Sequence, residues 1–296
     1  MARSFVDLVR RHLLPPSASD AITRRLSSGS NKVTGRFRSF DAALAALPAP
    51  LTWASDDYLT QREQLFVRQR CELEARDELD VRQQSRMFTL LFPLFAQHDY
   101  NRIRILDIGG GFGLDGLLVR RALPSTVAID WTVIETPDLV RRAAPLHEDG
   151  AVRYATSLEG LPAAHYDIAH IRDTIQYLPD LRPLSGQLAG LGCRAVVVGD
   201  APVLAQPDDR IAIQSVRRRR VRHAHPIRLF GSGSLAAVFA PDFRQVARLA
   251  QHGGLVVDGR ALRNTGLVFL RPATRSYQGE DSAAVAGPGV SDKGAA

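Results

Sequence analysis

The stretch ILDIGGGFGLDG, residues 105 to 116, sets five glycines between a β-branched run and an amphipathic one. Few folds accept that junction. Glycines allow a tight turn at a strand end and a close approach of backbone to a ligand, just ahead of a helix whose first amides have no partner. The same alternation continues through IDWTVIE, AVRYAT, YDIAHIR and CRAVVVG, with helix candidates at Leu114 to Leu123, Pro137 to Ala144 and Leu181 to Leu191. A repeated strand-helix order predicts parallel strands joined by right-handed crossovers. The last two strand candidates, GLVVDG and GLVFLR, follow a helix expected near Asp242 to Gln251 and are separated only by RALRNT. That is too short for a crossover, so they must pair as a hairpin with one strand reversed.

The expected fold is therefore α/β, a Rossmann-like sheet of seven mostly parallel strands with an antiparallel terminal hairpin. Residues 1–100 read as an N-terminal helical cap and linker: a first helix, a mobile Ser-, Arg- and Gly-rich connection from Ser17 to Arg38, a short helix over Phe40 to Leu47, and a longer one from Asp57 to Phe95. Residues 101–272 form the sheet domain, and 273–296, small and polar without apolar period, read as a disordered tail. With 296 residues and 45% hydrophobic content the chain can bury a core. Its net charge of +7 is carried by arginine, since lysine occurs only at Lys32 and Lys293, and it favours anionic partners without naming one. Cys71 and Cys193 lack the pairing of a zinc site or disulfide framework, so a reducing, cytoplasmic setting is expected. No membrane span is expected either.

The glycine loop fits two signatures. Gly111, Gly113 and Gly116 spell the dinucleotide fingerprint G-x-G-x-x-G, while Asp107, Gly109, Gly111 and Gly113 spell D-x-G-x-G-x-G. Asp107 tips the balance. Beside a pyrophosphate it adds like-charge repulsion, whereas beside the ammonium of S-adenosylmethionine (SAM), or a water holding that ammonium, it is favourable. Glu135, at the end of the next strand, can accept hydrogen bonds from two ribose hydroxyls, which both cofactors offer. The reversed terminal strand favours SAM over a nicotinamide cofactor, whose domains continue parallel.

Three segments, LDIGG (Leu106 to Gly110), WTVIETPDLV (Trp131 to Val140) and IQYLPD (Ile175 to Asp180), resemble the marks of a family of bacterial SAM-dependent methyltransferases of class I. The resemblance covers about residues 100 to 200, a third of the chain. It implies SAM as cofactor, with Asp107, Gly109 and Gly111 around the methionine moiety, Glu135 at the ribose, Ser157 near the adenine, and Asp173 and Thr174 where cofactor and acceptor meet; Gly110, Gly113 and Thr136 are further cofactor-binding candidates. The chain departs from the family after the fifth strand, where GDAPV with Asp200 replaces an arginine followed by Thr-Pro.

Methyl transfer needs alignment and, for a hydroxyl or amine acceptor, somewhere to put a proton; no metal is demanded. The candidates are Asp173, His170, His223 and His225, with a structural role the competing reading for the mid-strand His170. The insertion DAPVLAQPDDRIAIQSVRRRRVRHAHPIRLF has the length of a loop that shapes an acceptor pocket. Its Arg217 to Arg220, Arg222 and Arg228 would clamp a carboxylate or phosphate, or form a solvated face. The expected function is methyl transfer to oxygen or nitrogen of a small-molecule or glycan-type acceptor, with an anionic one and a homodimer left open. Nothing resembles an RNA-binding motif. A non-catalytic binding module with an arginine-rich face and a nicotinamide oxidoreductase are the rival readings.

Overall fold

The computed structural model describes residues 31–47, 55–76, 78, 79, 83, 90, 101–161, 166–218 and 221–272. Its strands are β1 (Asn31–Phe37), β2 (Arg102–Ile108), β3 (Ala128–Ile134), β4 (Val152–Ala155), β5 (Ile168–Arg172), β6 (Ala195–Pro202), β7 (Arg210–Arg218), β8 (Val221–Leu229), β9 (Arg244–Val257) and β10 (Arg260–Leu270). The helices are α1 (Phe40–Ala45), α2 (Asp56–Glu74), α3 (Leu114–Ala122), α4 (Pro137–Ala143), α5 (Leu184–Gly190) and α6 (Ser234–Phe239). All ten strands share one mixed sheet in the order β4-β3-β2-β5-β6-β10-β9-β1-β7-β8.

The parallel part is as expected: β2 lies between β3 and β5, with β4 beyond β3 and β6 beyond β5. Both faces are covered, which is why these strands read as nearly continuous apolar runs. Ile105, Trp131, Val133, Ile168 and Val197 pack on one face with Leu118 and Val119 of α3. Leu106, Ala169, Ile171, Val196 and Val198 pack on the other with Leu184 and Leu188 of α5 and Phe239 of α6. The reversed strand is β10, antiparallel to both β6 and β9.

The seven-strand count is exceeded: among the described residues the sheet has ten strands. β1 comes from the segment expected as a mobile connection, and β7 and β8 come from the insertion, which folds as an antiparallel hairpin. The expected helix at Asp242 to Gln251 is also corrected: it lies in β9, where Ala247, Leu249 and Gln251 are the partly buried, alternating positions. Ala and Leu suit helices, but pairing along β10 decides. RALRNT belongs to β10, and the turn is Asp258-Gly259, with φ 47° and 80°, a two-residue hairpin connection of the kind that right-handed twist favours.

Beyond β10 the sheet curls round on itself. β1 joins β9 in parallel and β7 antiparallel, and the end of β8 returns to the end of β6 through a parallel bridge between Val203 and Phe230. Leu204 N–H donates to Phe230 O at 2.7 Å and Phe230 N–H to Pro202 O at 2.9 Å. The ring has its own apolar interior of Val33, Leu204, Ala212, Ile227, Leu229, Leu255 and Val257. Arg210 fastens it, forked to Asp258 at 2.5 and 3.0 Å and donating to Gly35 O at 2.9 Å.

Of the expected cap, α1 and α2 are described. α2 packs Leu59 and Phe66 against Phe112, Leu139 and Ala143. Arg142 of α4 ties it down through Thr60 at 3.1 Å, Glu63 at 3.2 Å and Asp56. The expected first helix, much of the stretch from 77 to 100 and the tail from 273 lie outside the described residues.

Candidate functional site

In a sheet of this order the chain leaves β2 toward β3 on one side and later returns to β5 on the other, so the crevice at the C-terminal ends of β2 and β5 is the place for a ligand. The glycine loop forms one lip. Gly109, Gly111 and Gly113 have φ of 72°, 60° and 74°, in the left-handed region. Four of the five glycines answer to packing. A Cβ on Gly109 would lie 2.2 Å from Thr174 Oγ1, on Gly110 2.2 Å from Asp107 Oδ2, on Gly113 3.0 Å from Tyr154 OH, and on Gly116 2.8 Å from Trp131 Cγ. Gly111 differs, since its nearest neighbour would be an Arg62 guanidinium nitrogen at 3.5 Å. It is buried beneath Arg62 and is the one position of the loop with room for a side-chain atom.

Asp107 is not at the lip. It is 1% exposed and lies under Gly110, with Oδ1 3.1 Å from Nδ1 of His170 and Oδ2 accepting from Trp131 Nε1 at 3.1 Å. This carboxylate is thus paired with protein groups beneath the loop, and His170, 4% exposed, shares that floor. The two residues are register partners on β2 and β5, which is why they meet.

Glu135 does reach the loop. Its Oε1 accepts from Gly111 N–H at 3.2 Å and its Oε2 from Thr136 N–H at 3.0 Å. Burial pushes this carboxyl above its ordinary range, while the two backbone donors and the charge of Arg62 oppose the shift. A carboxylate has about four lone-pair sites, so two remain for a ligand. Arg62 stands on α2 and acts on both Glu135 and Asp173. Sequence reasoning missed it, because nothing marks one arginine among the several of a cap helix.

The other lip is the end of β5. Thr174 Oγ1 spans the crevice floor, 3.3 Å from Gly109 O and 3.1 Å from Arg172 O. Arg172 forks onto Asp115 of α3 at 2.7 and 3.2 Å and lies 3.7 Å from Asp200. Asp173 and Asp200, at the ends of neighbouring strands, both hold left-handed backbone, with φ 53° and 56°. Non-glycine residues seldom do so, and such strain gathers at functional sites. Asp173 is exposed to solvent yet hemmed by protein, as a side chain in a concavity is: water reaches it without surrounding it. Burial first, then the charge of Asp200, push it up to about 6, against Arg172 and Arg62.

A polar chain continues behind Asp173. Gln176 Nε2 donates to Asp173 Oδ1 at 2.8 Å, and Tyr177 OH donates to Gln214 Oε1 at 2.7 Å. His225, the register partner of Gln214 across β7 and β8, places Nε2 2.9 Å from the same oxygen and meets the Tyr177 ring edge-on at 4.9 Å between centroids. The insertion therefore delivers two polar side chains to the inner mouth of the β ring. His225 is 7% exposed and one residue removed from the open crevice.

Thr136 and Ser157 are exposed beyond β3 and β4, on the Glu135 side of the crevice. Arg217, Arg218 and Arg222 lie at the hairpin tip by register, with His223 opposite Val216, but these side chains, and all of Arg219 and Arg220, are outside the described residues. Arg228 is bonded to Asp209 and to Pro179 O, away from any clamp. Among the described residues no cluster of three or more His, Cys, Asp or Glu has metal-site geometry, and no helix is long and apolar enough to cross a membrane.

No model of a protein family matches the sequence, and no curated protein matches it. Solved structures similar to it include a SAM-dependent methyltransferase from Clostridium acetobutylicum, 9% identical with a TM-score of 0.44 over 66% of this chain and 93% of that one. Another is a SAM-bound amino pentose methyltransferase from Micromonospora echinaspora, 14% identical with a TM-score of 0.44 over 68% of this chain and 95% of that one. Likeness at this level leaves the chemistry to be argued from the chain's own residues.

Proposed function

We propose that the chain is a SAM-dependent methyltransferase acting on a small-molecule or glycan-type acceptor. The observation that carries this reading is the charge around Gly111. Asp107, Asp115, Glu135 and Asp173 stand about the loop, while of the described guanidiniums that reach it, Arg172 is already forked to Asp115 and Arg62 faces Gly111 and Glu135. Such surroundings repel a dianionic diphosphate and suit a ligand with a sulfonium and an ammonium.

The residues fit the cofactor. Glu135 keeps two lone pairs for ribose hydroxyls, and Arg62, which lies over Gly111, offers a fork to a carboxylate. Thr136 and Ser157 border the side where an adenine would lie. SAM, when bound, supplies a methyl group on a positively charged sulfur. Asp173 would then face the acceptor, where an exposed carboxylate with a raised pKa can receive a proton and release it to water. Thr174 holds the two lips together through Gly109.

Calorimetry of the full chain with SAM, S-adenosylhomocysteine and NADH tests this. The first two are expected to bind and NADH is not. Binding of NADH by a sample that ignores S-adenosylhomocysteine would return the nicotinamide reading.

A further inference from the structure

Helix α2 meets the crevice along Arg62, Phe66 and Arg70, which follow one another at four-residue spacing and so share one side of the helix. Arg62 lies over Gly111 and acts on Glu135. Phe66 packs on Phe112, with 5.8 Å between ring centroids, and on His147 at 5.4 Å. Arg70 donates to Leu146 O at 2.8 Å. His147 closes the single turn Ala144–His147 and stands at the middle of this seam, 4% exposed. Its Nε2 lies 2.9 Å from Phe112 O, so that nitrogen carries the proton, and Tyr154 of β4 flanks the ring at 5.8 Å. The glycine loop is thus held at two successive residues, Gly111 through its N–H by Glu135 and Phe112 through its carbonyl by His147.

We infer that His147 is a positioning residue of the crevice: in its neutral form it binds Phe112 O and backs Phe66, and so seats α2, with Arg62, over Gly111. The inference rests on the methyl-transfer reading for the ligand and adds what keeps the ligand's site in place. A donor at Nε2 and an uncharged ring are both required. Without the donor, the buried Phe112 loses its carbonyl's partner, one residue from the N–H that Glu135 holds. With a second proton, the ring becomes a cation packed between Phe66 and Tyr154, facing Arg70 of α2 and Arg120 of α3 as like charges and Asp149 as the opposing acid. Burial first holds the imidazole below its ordinary 6.5; the Phe112 carbonyl opposes that shift, and the charge of Arg70 adds to it. An unfolded chain therefore takes up the proton more readily than the folded one, so the seam is at full strength above 6.5 and weakens as pH falls below it.

Calorimetry of S-adenosylhomocysteine binding to the full chain from about pH 8 to about pH 5, for the parent, His147→Gln and His147→Phe, tests it. Gln carries an amide nitrogen at the reach of Nε2 and does not titrate, whereas Phe keeps a ring and loses the donor. The parent is expected to lose about threefold more affinity toward acid pH than His147→Gln, which should bind within about threefold of the parent at about pH 8; His147→Phe should be at least about fivefold weaker there. Glu135 and Asp173 titrate in all three chains, so the comparison reads position 147. Coinciding pH profiles for the parent and His147→Gln, or parental affinity in His147→Phe, would overturn the inference. Hydrogen exchange of the ligand-free chains gives a second measurement that does not need the Phe variant to fold. At about pH 5 the α2 amides of the parent are expected to exchange faster than those of His147→Gln, and equal protection would overturn the inference as well. A chain that binds no S-adenosylhomocysteine at any pH loses the cofactor assignment, and exchange along α2 then decides the role of His147 by itself.

Discussion

Asp107 and His170 face each other beneath the glycine loop, 3.1 Å apart on register-paired strands, with Trp131 capping the second carboxylate oxygen. Removing the imidazole leaves a buried acceptor without its donor. His170→Ala is expected to lower stability by about 1–3 kcal/mol in urea unfolding. Affinity for S-adenosylhomocysteine should stay within about threefold, under ~0.7 kcal/mol. A large loss of affinity in a folded variant would bring His170 back into the site.

The loop glycines separate packing from ligand contact. Gly109→Ala meets Thr174 at 2.2 Å in a left-handed position and is expected to destabilise by about 3 kcal/mol or more. Gly111→Ala meets only Arg62 at 3.5 Å, so it should lose no more than the left-handed strain of about 1–2 kcal/mol, yet bind S-adenosylhomocysteine more weakly. Equal stabilities for the two variants would contradict the assignment.

The parallel half of the fold was legible because its signals are local. Leu106, Val133 and Ile171 sit in short β-branched runs, glycines punctuate their ends, and each run is followed by an amphipathic stretch. What was not legible depends on pairing across the chain. Val33 becomes a strand residue because β7 and β9 lie either side of it, and Leu249 because β10 does. In the site, Glu135 and Asp173 were readable from their places at strand ends. Arg62 and Gln214 were not, since their places come from how α2 and the hairpin dock, and no local pattern announced His170 and Trp131 as the partners of Asp107.

Glu135→Ala should weaken SAM and S-adenosylhomocysteine at least about tenfold, two lost hydrogen bonds of ~0.5–1.5 kcal/mol each. Calorimetry reads this directly. Unchanged affinity would move the ribose elsewhere.

Arg62 is expected to recognise a carboxylate. Arg62→Ala should cost about tenfold in S-adenosylhomocysteine affinity, the size of one charge-assisted bond, and leave 5′-methylthioadenosine, which has no carboxylate, unaffected. Parallel losses for both ligands would make Arg62 a support of α2 instead.

Asp173 gives a pH signature. Its carboxyl is pushed up to about 6 from an ordinary 3.8, so between these values the folded chain holds a proton that the unfolded chain has released. Its contribution therefore favours the fold below the window and is lost as pH rises through it. The melting-temperature difference between Asp173→Asn and the parent should shift toward the variant from about pH 4 to pH 8. Methyl transfer should run the other way, rising as pH passes about 6, with that inflection missing from the variant.

Val33 lies between Val257 and Gln214 in the curled part of the sheet, so the ring draws on both ends of the described chain. During synthesis the β2 to β6 region can pair as it leaves the ribosome, because its partners follow closely in sequence. The wall that holds Gln214, His225 and Tyr177 must wait for β9 and β10. Nascent chains halted after Leu229 should therefore carry a finished crevice at β2 and β5 and an unfinished ring.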